Sequence, residues 1–385
     1  MRLRPTLETL VRPYTLLLLG GALSFLAWVI PWGSHVPSAV RGFRKAQPWT
    51  WHGALFLLAW YGFFFLVALG GFALGRRIRP FRRAEEVPWE SYYVFLTTLA
   101  VIGAAYSYTY ISIKSPHVIG MALKHQQFNQ VRYVLPESAG IQTLRYAVCL
   151  TAGIAIFELG RRHFRLLHVL NVVLLLLVSA IAARTLLIIA TIVVVGLAAR
   201  HLQTTRVDPR KLAGVVLVGA VALFAALAVL NYSRNADFYR SNGVTDPALM
   251  NVDEMIRYLG IPFQASVAVS NHVGSWPAVP STVAAGTRQF VVPAYLTSGS
   301  SAAVFRADTR YRSIVSIPKT QSTNSVLALM WGVFGVLSFP ILGFVVLVAA
   351  AISGHASRYR SYAFLAGLVT AYCCAEWWRT WLFNA

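Results

Sequence analysis

The sequence predicts an all-α, polytopic integral membrane protein with about nine transmembrane helices (nine to eleven). Three observations lead there. Only 12% of the 385 residues are charged, about half the share usual in soluble domains. Hydrophobic residues make up 57%, and they gather into runs near the ~20 residues that a helix needs to cross a bilayer core. The short connections between these runs hold dense clusters of arginine and lysine, the signature that sets the orientation of membrane spans.

Taken in order, the expected spans run roughly over 14–31, 52–75, 92–113, 141–160, 166–183, 184–199, 212–231, 326–352 and 361–382. The first follows MRLRP and serves as an uncleaved anchor rather than a removed signal, because further spans follow at once. RRIRPFRR (76–83), RRHFR (161–165), HLQTTRVDPRK (201–211) and SRYR (357–360) are the basic connections expected on the cytoplasmic side, together with the N-terminus. RGFRK (41–45) falls on the opposite side and departs from the rule. Much of the net charge of +21 thus sits in topology-setting loops, and no nucleic-acid partner is expected. Trp28, Trp32, Trp49, Trp51, Trp89, Trp377, Trp378 and Trp381 lie near span ends, where interfacial anchoring explains most of them.

Loop parity resolves the run LLHVLNVVLLLLVSAIAARTLLIIATIVVVGLAAR (166–200). Basic connections on both sides require an even number of crossings. One helix over the run would also be roughly 50 Å long, far beyond a ~30 Å core. A hairpin of two short helices with Arg184 at its outer tip meets both demands. Arg184 there either faces a polar cavity or snorkels to the interface, and both readings stay open. The run 323–353 crosses once but is also too long, with Gly332, Gly335 and Pro340 as breakpoints. A short dipping helix from Ser325 to about Leu337 followed by a true span is expected.

The chain is expected to form a single transmembrane domain (1–385) containing one large outer segment (232–322). A structureless loop of that length is unusual, so the segment should carry its own helices. NVDEMIRYLG (251–260) is one, with Asn251 as cap and Asp253 spaced to pair with Arg257. Seven of the eight cations in 232–322 are arginine, the side chain whose planar fork grips phosphate or carboxylate in two places. His272 is a candidate general base, because an ordinary histidine titrates near working pH. Carboxylates are scattered, as Asp237, Asp246, Asp253, Glu254 and Asp308. Asp237 and Glu254 join His272 as candidate bases. No HExxH, CxxC, Walker, GxSxG or DxD element occurs, so no metal, nucleotide site or cofactor is expected. Cys149, Cys373 and Cys374 lie in apolar segments and form no disulfide framework.

With its hairpin arginine after small residues, SAIAART (179–185), its arginine-rich outer segment, and the Thr/Asn/Ser entry into an aromatic-glycine stretch, TNSVLALMWGVFGVLSF (323–339), the chain resembles the O-antigen or oligosaccharide-repeat-unit polymerases (Wzy-type). The resemblance covers most of the chain by architecture and these two stretches by motif. It implies a GT-C-like membrane glycosyltransferase of the bacterial cytoplasmic membrane. Such an enzyme joins polyprenyl-diphosphate-linked oligosaccharides at the outer face, and a chain-length-regulating membrane protein is a conceivable partner. Arg184, Arg234, Arg257, Arg288, Arg310 and Arg312 are then expected to hold the diphosphate, and Tyr232, Tyr239, Tyr258 and Tyr295 to line the sugar groove. The related O-antigen ligases use an outer-loop histidine followed by a glycine-threonine element. His272 and Gly286-Thr287 match those types without reproducing the spacing. A transporter or flippase of lipid-linked oligosaccharide is the third reading, against which the spans offer only Glu158 and Glu376 as carboxylates.

Overall fold

The computed structural model describes residues 7–29, 48–81, 88–125, 131, 134–135, 140–181, 185–204, 219, 221, 224–232, 236–237, 240, 245–275, 279–292, 325–359 and 361–383. All regular structure among them is helical. In chain order the helices are α1 (Leu7–Leu10), α2 (Pro13–Val29), α3 (Trp51–Arg77), α4 (Trp89–Lys114), α5 (Val118–His125) and α6 (Val148–Gly160), the last entered through a 3-10 turn (Ile141–Ala147). They continue as α7 (Leu166–Ile181), α8 (Thr185–Thr204), α9 (Pro247–Ser270), α10 (Pro280–Phe290), α11 (Val326–Phe334), α12 (Ser338–Ala356) and α13 (Leu365–Ala375). Four stretches are long and apolar enough to cross a membrane: Trp51–Arg77, Trp89–Lys114, Ile141–Gly160 and Val326–Ala356. Pro13–Val29, Leu166–Ile181, Leu186–His201 and Tyr362–Ala375 are apolar but shorter. The expected span at 212–231 lies largely outside the described residues.

The chain divides into two compact units, Met1–Val11 with Glu86–Glu254 and Arg12–Glu85 with Met255–Ala385. In the first unit α6 packs on α7 and α8, and α4 packs on the 3-10 turn. Small residues make these approaches close. A Cβ on Gly153 would meet Val193 Cγ1 at 2.5 Å, and one on Gly103 would meet Leu144 C at 2.6 Å and overlap the Arg145 backbone nitrogen. At the α6–α7 corner, the Glu158 carboxylate takes His163 Nδ1 at 2.8 Å and Arg161 Nη1 at 3.4 Å. In the run 166–200 the structure describes α7 up to Ile181 and α8 from Thr185; the expected hairpin tip with Arg184 lies outside the described residues. Inside the helices, Tyr93 hydroxyl sits 2.8 Å from His168 Nδ1, and Asn171 Nδ2 donates to Tyr93 and Thr97. That network satisfies polar groups that apolar surroundings would otherwise penalise.

In the second unit α3 and α12 form a long seam. Gly71, Gly75 and Gly354 bring backbone against backbone, with Leu347 O, Ala351 O and Phe72 O as the facing atoms. Spacing small residues four apart permits such an approach between helices that share an apolar surrounding. The run 323–353 breaks where expected. Ser325 Oγ accepts from Ala328 N and caps α11, and α11 ends at Gly335, whose φ of 54° favours glycine.

Two local expectations are corrected. Asn251 does not cap a helix: α9 starts four residues earlier at Pro247, and Asn251 is buried inside it, accepting from Asn231 Nδ2 at 2.5 Å. Trp377, Trp378 and Trp381 are buried instead of anchoring at an interface. They fill the core with Trp60 and Phe64, and Trp378 lies over Gly20. Trp49 and Trp51 are exposed, as anchoring demands. The 261–270 half of α9, within the segment expected to carry its own helices, is buried throughout. Phe263, Ala265, Val267 and Val269 join the core that holds Trp60, Phe64 and Trp331.

Candidate functional site

Of the residues nominated from sequence, Tyr232 and Asp237 share a cluster in the first unit and Tyr258 belongs to another in the second. In the first unit, the described helical stretch 224–232 carries Tyr232, one of the expected sugar contacts. The Arg240 guanidinium lies 5.2 Å from the centroid of the Tyr232 ring and donates from Nη2 to its hydroxyl. The same guanidinium lies 3.7 Å from Asp237 Oδ1, with both side chains about two-fifths exposed. A candidate base and a candidate sugar contact are therefore joined by an arginine that was not nominated. Asp246 Oδ1 accepts from Leu249 N and caps α9, which fixes this end of the helix. Glu254 follows further along α9 and is half-buried.

The second cluster surrounds the WWRTW stretch. Arg379 donates from Nε at 2.9 Å and from Nη2 at 2.7 Å to Glu376 Oε2, and Tyr372 hydroxyl donates to Oε1 at 2.9 Å. Glu376 is buried, so its charge is offset by a pair and a hydrogen bond rather than by water. The guanidinium also stacks over Tyr258, 4.1 Å from its ring centroid. Tyr258 in turn meets Trp378 edge-on. Tyr258, nominated for sugar binding, is thus committed to a buried polar network. Arg257, its neighbour on α9, is half-buried.

His272 lies just beyond the end of α9. Its Nδ1 is 2.8 Å from Ala268 O, and its backbone N–H donates to Val269 O. That contact fixes the ring orientation, as an Nδ1–H hydrogen bond to a carbonyl does in a histidine whose Nε2 carries the chemistry. The preceding Asn271 donates to Pro48 O at 2.8 Å and lies 2.5 Å from Thr50 Oγ1, which caps α3. Trp331 Nε1 donates to Val273 O on the other side. His272 therefore stands in a rigid corner. Arg288 is exposed on α10, whose end is fixed by Trp381 Nε1 donating to Phe290 O at 2.6 Å.

Arg184, Arg234, Arg310, Arg312, Tyr239 and Tyr295 lie outside the described residues. Among the described residues, no group of three or more His, Cys, Asp or Glu side chains gathers, and the three cysteines are unpaired thiols.

Sequence reasoning passed over one residue in particular. Arg145, at the head of the Ile141–Gly160 stretch, is only 6% exposed. Its signal was present as the one cation of the expected span 141–160. Position near a span end reads as interfacial, which hid it.

The fold and these clusters define a class: a chain whose described regular structure is all helical, with several helices apolar and long enough to cross a membrane and one buried arginine, Arg145. No family model, no curated protein and no solved structure matches the chain.

Proposed function

We propose that the chain is a glycosyltransferase of the bacterial cytoplasmic membrane that polymerises polyprenyl-diphosphate-linked oligosaccharide units at the outer face. In this reading the chain crosses about nine times, with a cytoplasmic N-terminus and the arginine-rich segment 232–322 outside. The observation that carries it is the makeup of that segment: seven of eight cations are arginine in a chain of 12% charged residues. A glycosyl transfer from a lipid diphosphate needs such groups. The acceptor hydroxyl oxygen bonds to the anomeric carbon while the bond from that carbon to the diphosphate oxygen breaks. The lipid diphosphate leaves with the electron pair and gathers negative charge, which fixed guanidinium donors stabilise.

Arg184, Arg234, Arg257, Arg288, Arg310 and Arg312 are assigned to the diphosphate. The acceptor proton goes to a base, for which Asp237, Glu254 and His272 are the candidates. His272 has the most rigid support, through Ala268 O and the Asn271 corner. Tyr232, Tyr239 and Tyr295 remain assigned to the sugar. Tyr258 is better suited to orienting α9 through Arg379 than to touching sugar.

Purified protein in bilayer discs, given lipid-linked repeat units as the only substrate, tests this reading by product length. A ladder of elongated products supports a polymerase. Transfer that occurs only with a second, distinct acceptor replaces it with a ligase, and unchanged chain length with movement across a sealed vesicle replaces it with a flippase.

A further inference from the structure

We propose that Arg145 anchors an anion site in the first unit that takes a phosphate or diphosphate group, with Tyr146 as its displaceable cover. The 3-10 turn that carries Arg145 is pressed onto α4 at Gly103, where no side chain separates the two backbones. From there the guanidinium reaches inward. Nη1 donates to Ser107 Oγ at 3.0 Å, to Gln142 O at 3.0 Å and to Gln142 Oε1 at 3.3 Å, and Nη2 donates to Tyr146 hydroxyl at 3.2 Å. All of these acceptors are neutral. Nε is buried with no partner, and no carboxylate pairs with Arg145 among the described residues.

A guanidinium at the head of an apolar helix, held by neutral groups alone, costs stability. In a purely structural role, a carboxylate partner for Arg145, or an apolar residue of similar size in its place, would serve better. Retaining an uncompensated cation is accounted for when a ligand brings the counter-charge. The edge that remains for that ligand is Nε with Nη2, the pair of donors with which arginine grips two oxygens of one phosphate. Among the described residues only Tyr146 occupies this edge, through its hydroxyl and with its ring 4.8 Å from the guanidinium carbon. Its side chain is 43% exposed and can swing away without leaving a void in the core.

The surroundings fit the same purpose. Tyr108, one residue after the Ser107 acceptor, donates to Leu177 O at 2.9 Å near the end of α7. Four residues on, Ile181 closes α7 in a cluster with Ile111, Val118 and Leu135. The turn of α4 that holds Arg145 is therefore also tied to the last described turn of α7. The choice of a diphosphate as the natural group rests on the proposed function; the anion site itself does not.

Direct binding tests the site. Wild-type, Arg145→Met and Arg145→Lys proteins in discs of neutral lipid are titrated with farnesyl diphosphate, inorganic pyrophosphate and farnesol, and their thermal midpoints are recorded. The wild type is expected to bind farnesyl diphosphate and not farnesol. Arg145→Met should bind at least roughly tenfold more weakly, with a midpoint equal to or above that of the wild type. If the Met variant fails to insert, Arg145→Lys decides, since it keeps the charge and loses the two-donor edge; it too should bind less tightly. Equal binding of pyrophosphate assigns the site to the phosphate group alone, whereas preference for farnesyl diphosphate assigns it to a lipid-borne group. Unchanged affinity in the folded variants overturns the proposal. Because binding is read without turnover, a chain that binds but makes no polymer refutes only the proposed function.

Discussion

Replacing Gly75 by alanine probes the α3–α12 seam, and its neighbour on the same helix, Gly70, supplies the control. A Cβ on Gly75 would overlap the Ala351 carbonyl oxygen and lie 2.7 Å from its carbon and 2.9 Å from its Cα. These are backbone atoms of a helix interior, so none can rotate aside, and the two helices must part by on the order of 1 Å. A gap of that size forfeits a quarter to a half of the dispersion energy of each facing contact. Overpacking of this kind costs about 1–3 kcal/mol, and the backbone character of the clash puts Gly75→Ala at the upper end. At Gly70 nothing lies within 4 Å of the added methyl, so only helix propensity acts, favouring alanine by up to ~1 kcal/mol. The propensity gain acts in both variants and cancels, so they should differ by the overpacking cost, roughly 2–3 kcal/mol, with Gly70→Ala melting at or above wild type and Gly75→Ala clearly below it. Thermal unfolding of the purified proteins in one detergent measures this. If Gly75→Ala melted as high as Gly70→Ala, the close seam would be wrong.

Other predictions concern the second unit. Glu376→Gln strips a buried guanidinium of its counter-charge and should cost about 3–5 kcal/mol. The double variant Glu376→Gln/Arg379→Met should recover a large part of that loss; a double variant as unstable as the sum of the singles would contradict the pairing. Ser325→Ala removes the cap of α11 and should cost about 1 kcal/mol, with Ser325→Asp close to wild type by denaturant unfolding. An alanine variant indistinguishable from wild type would show that the cap does not matter.

The sequence made the break of the run 323–353 legible, because it is a local matter: Gly335 supplies a left-handed residue and Ser325 a cap. Burial that depends on a distant partner was not legible. Trp378 reads as an interface anchor until Gly20 of α2 is seen beneath it, and Arg145 reads as a boundary residue until Gly103 draws its turn onto α4. The stretch IPFQASVAVS is apolar but too short to announce a span and contains Pro262, so its place in the core came only with packing. The i,i+3 spacing of Glu376 and Arg379 was visible, but their seclusion from water was not. Of the nominated site residues, Tyr232 and Asp237 prove to share Arg240; the i,i+3 spacing from Asp237 was visible, whereas the contact with Tyr232, eight residues away, was not.

The most direct measurement of the central claim is product length from purified protein supplied with lipid-linked repeat units, with and without EDTA, for wild type and Arg184→Lys. A polymerase that relies on arginines yields a ladder unaffected by EDTA and sharply reduced in an Arg184→Lys protein that still inserts. No elongation by the wild type, or elongation abolished by EDTA, would contradict the account.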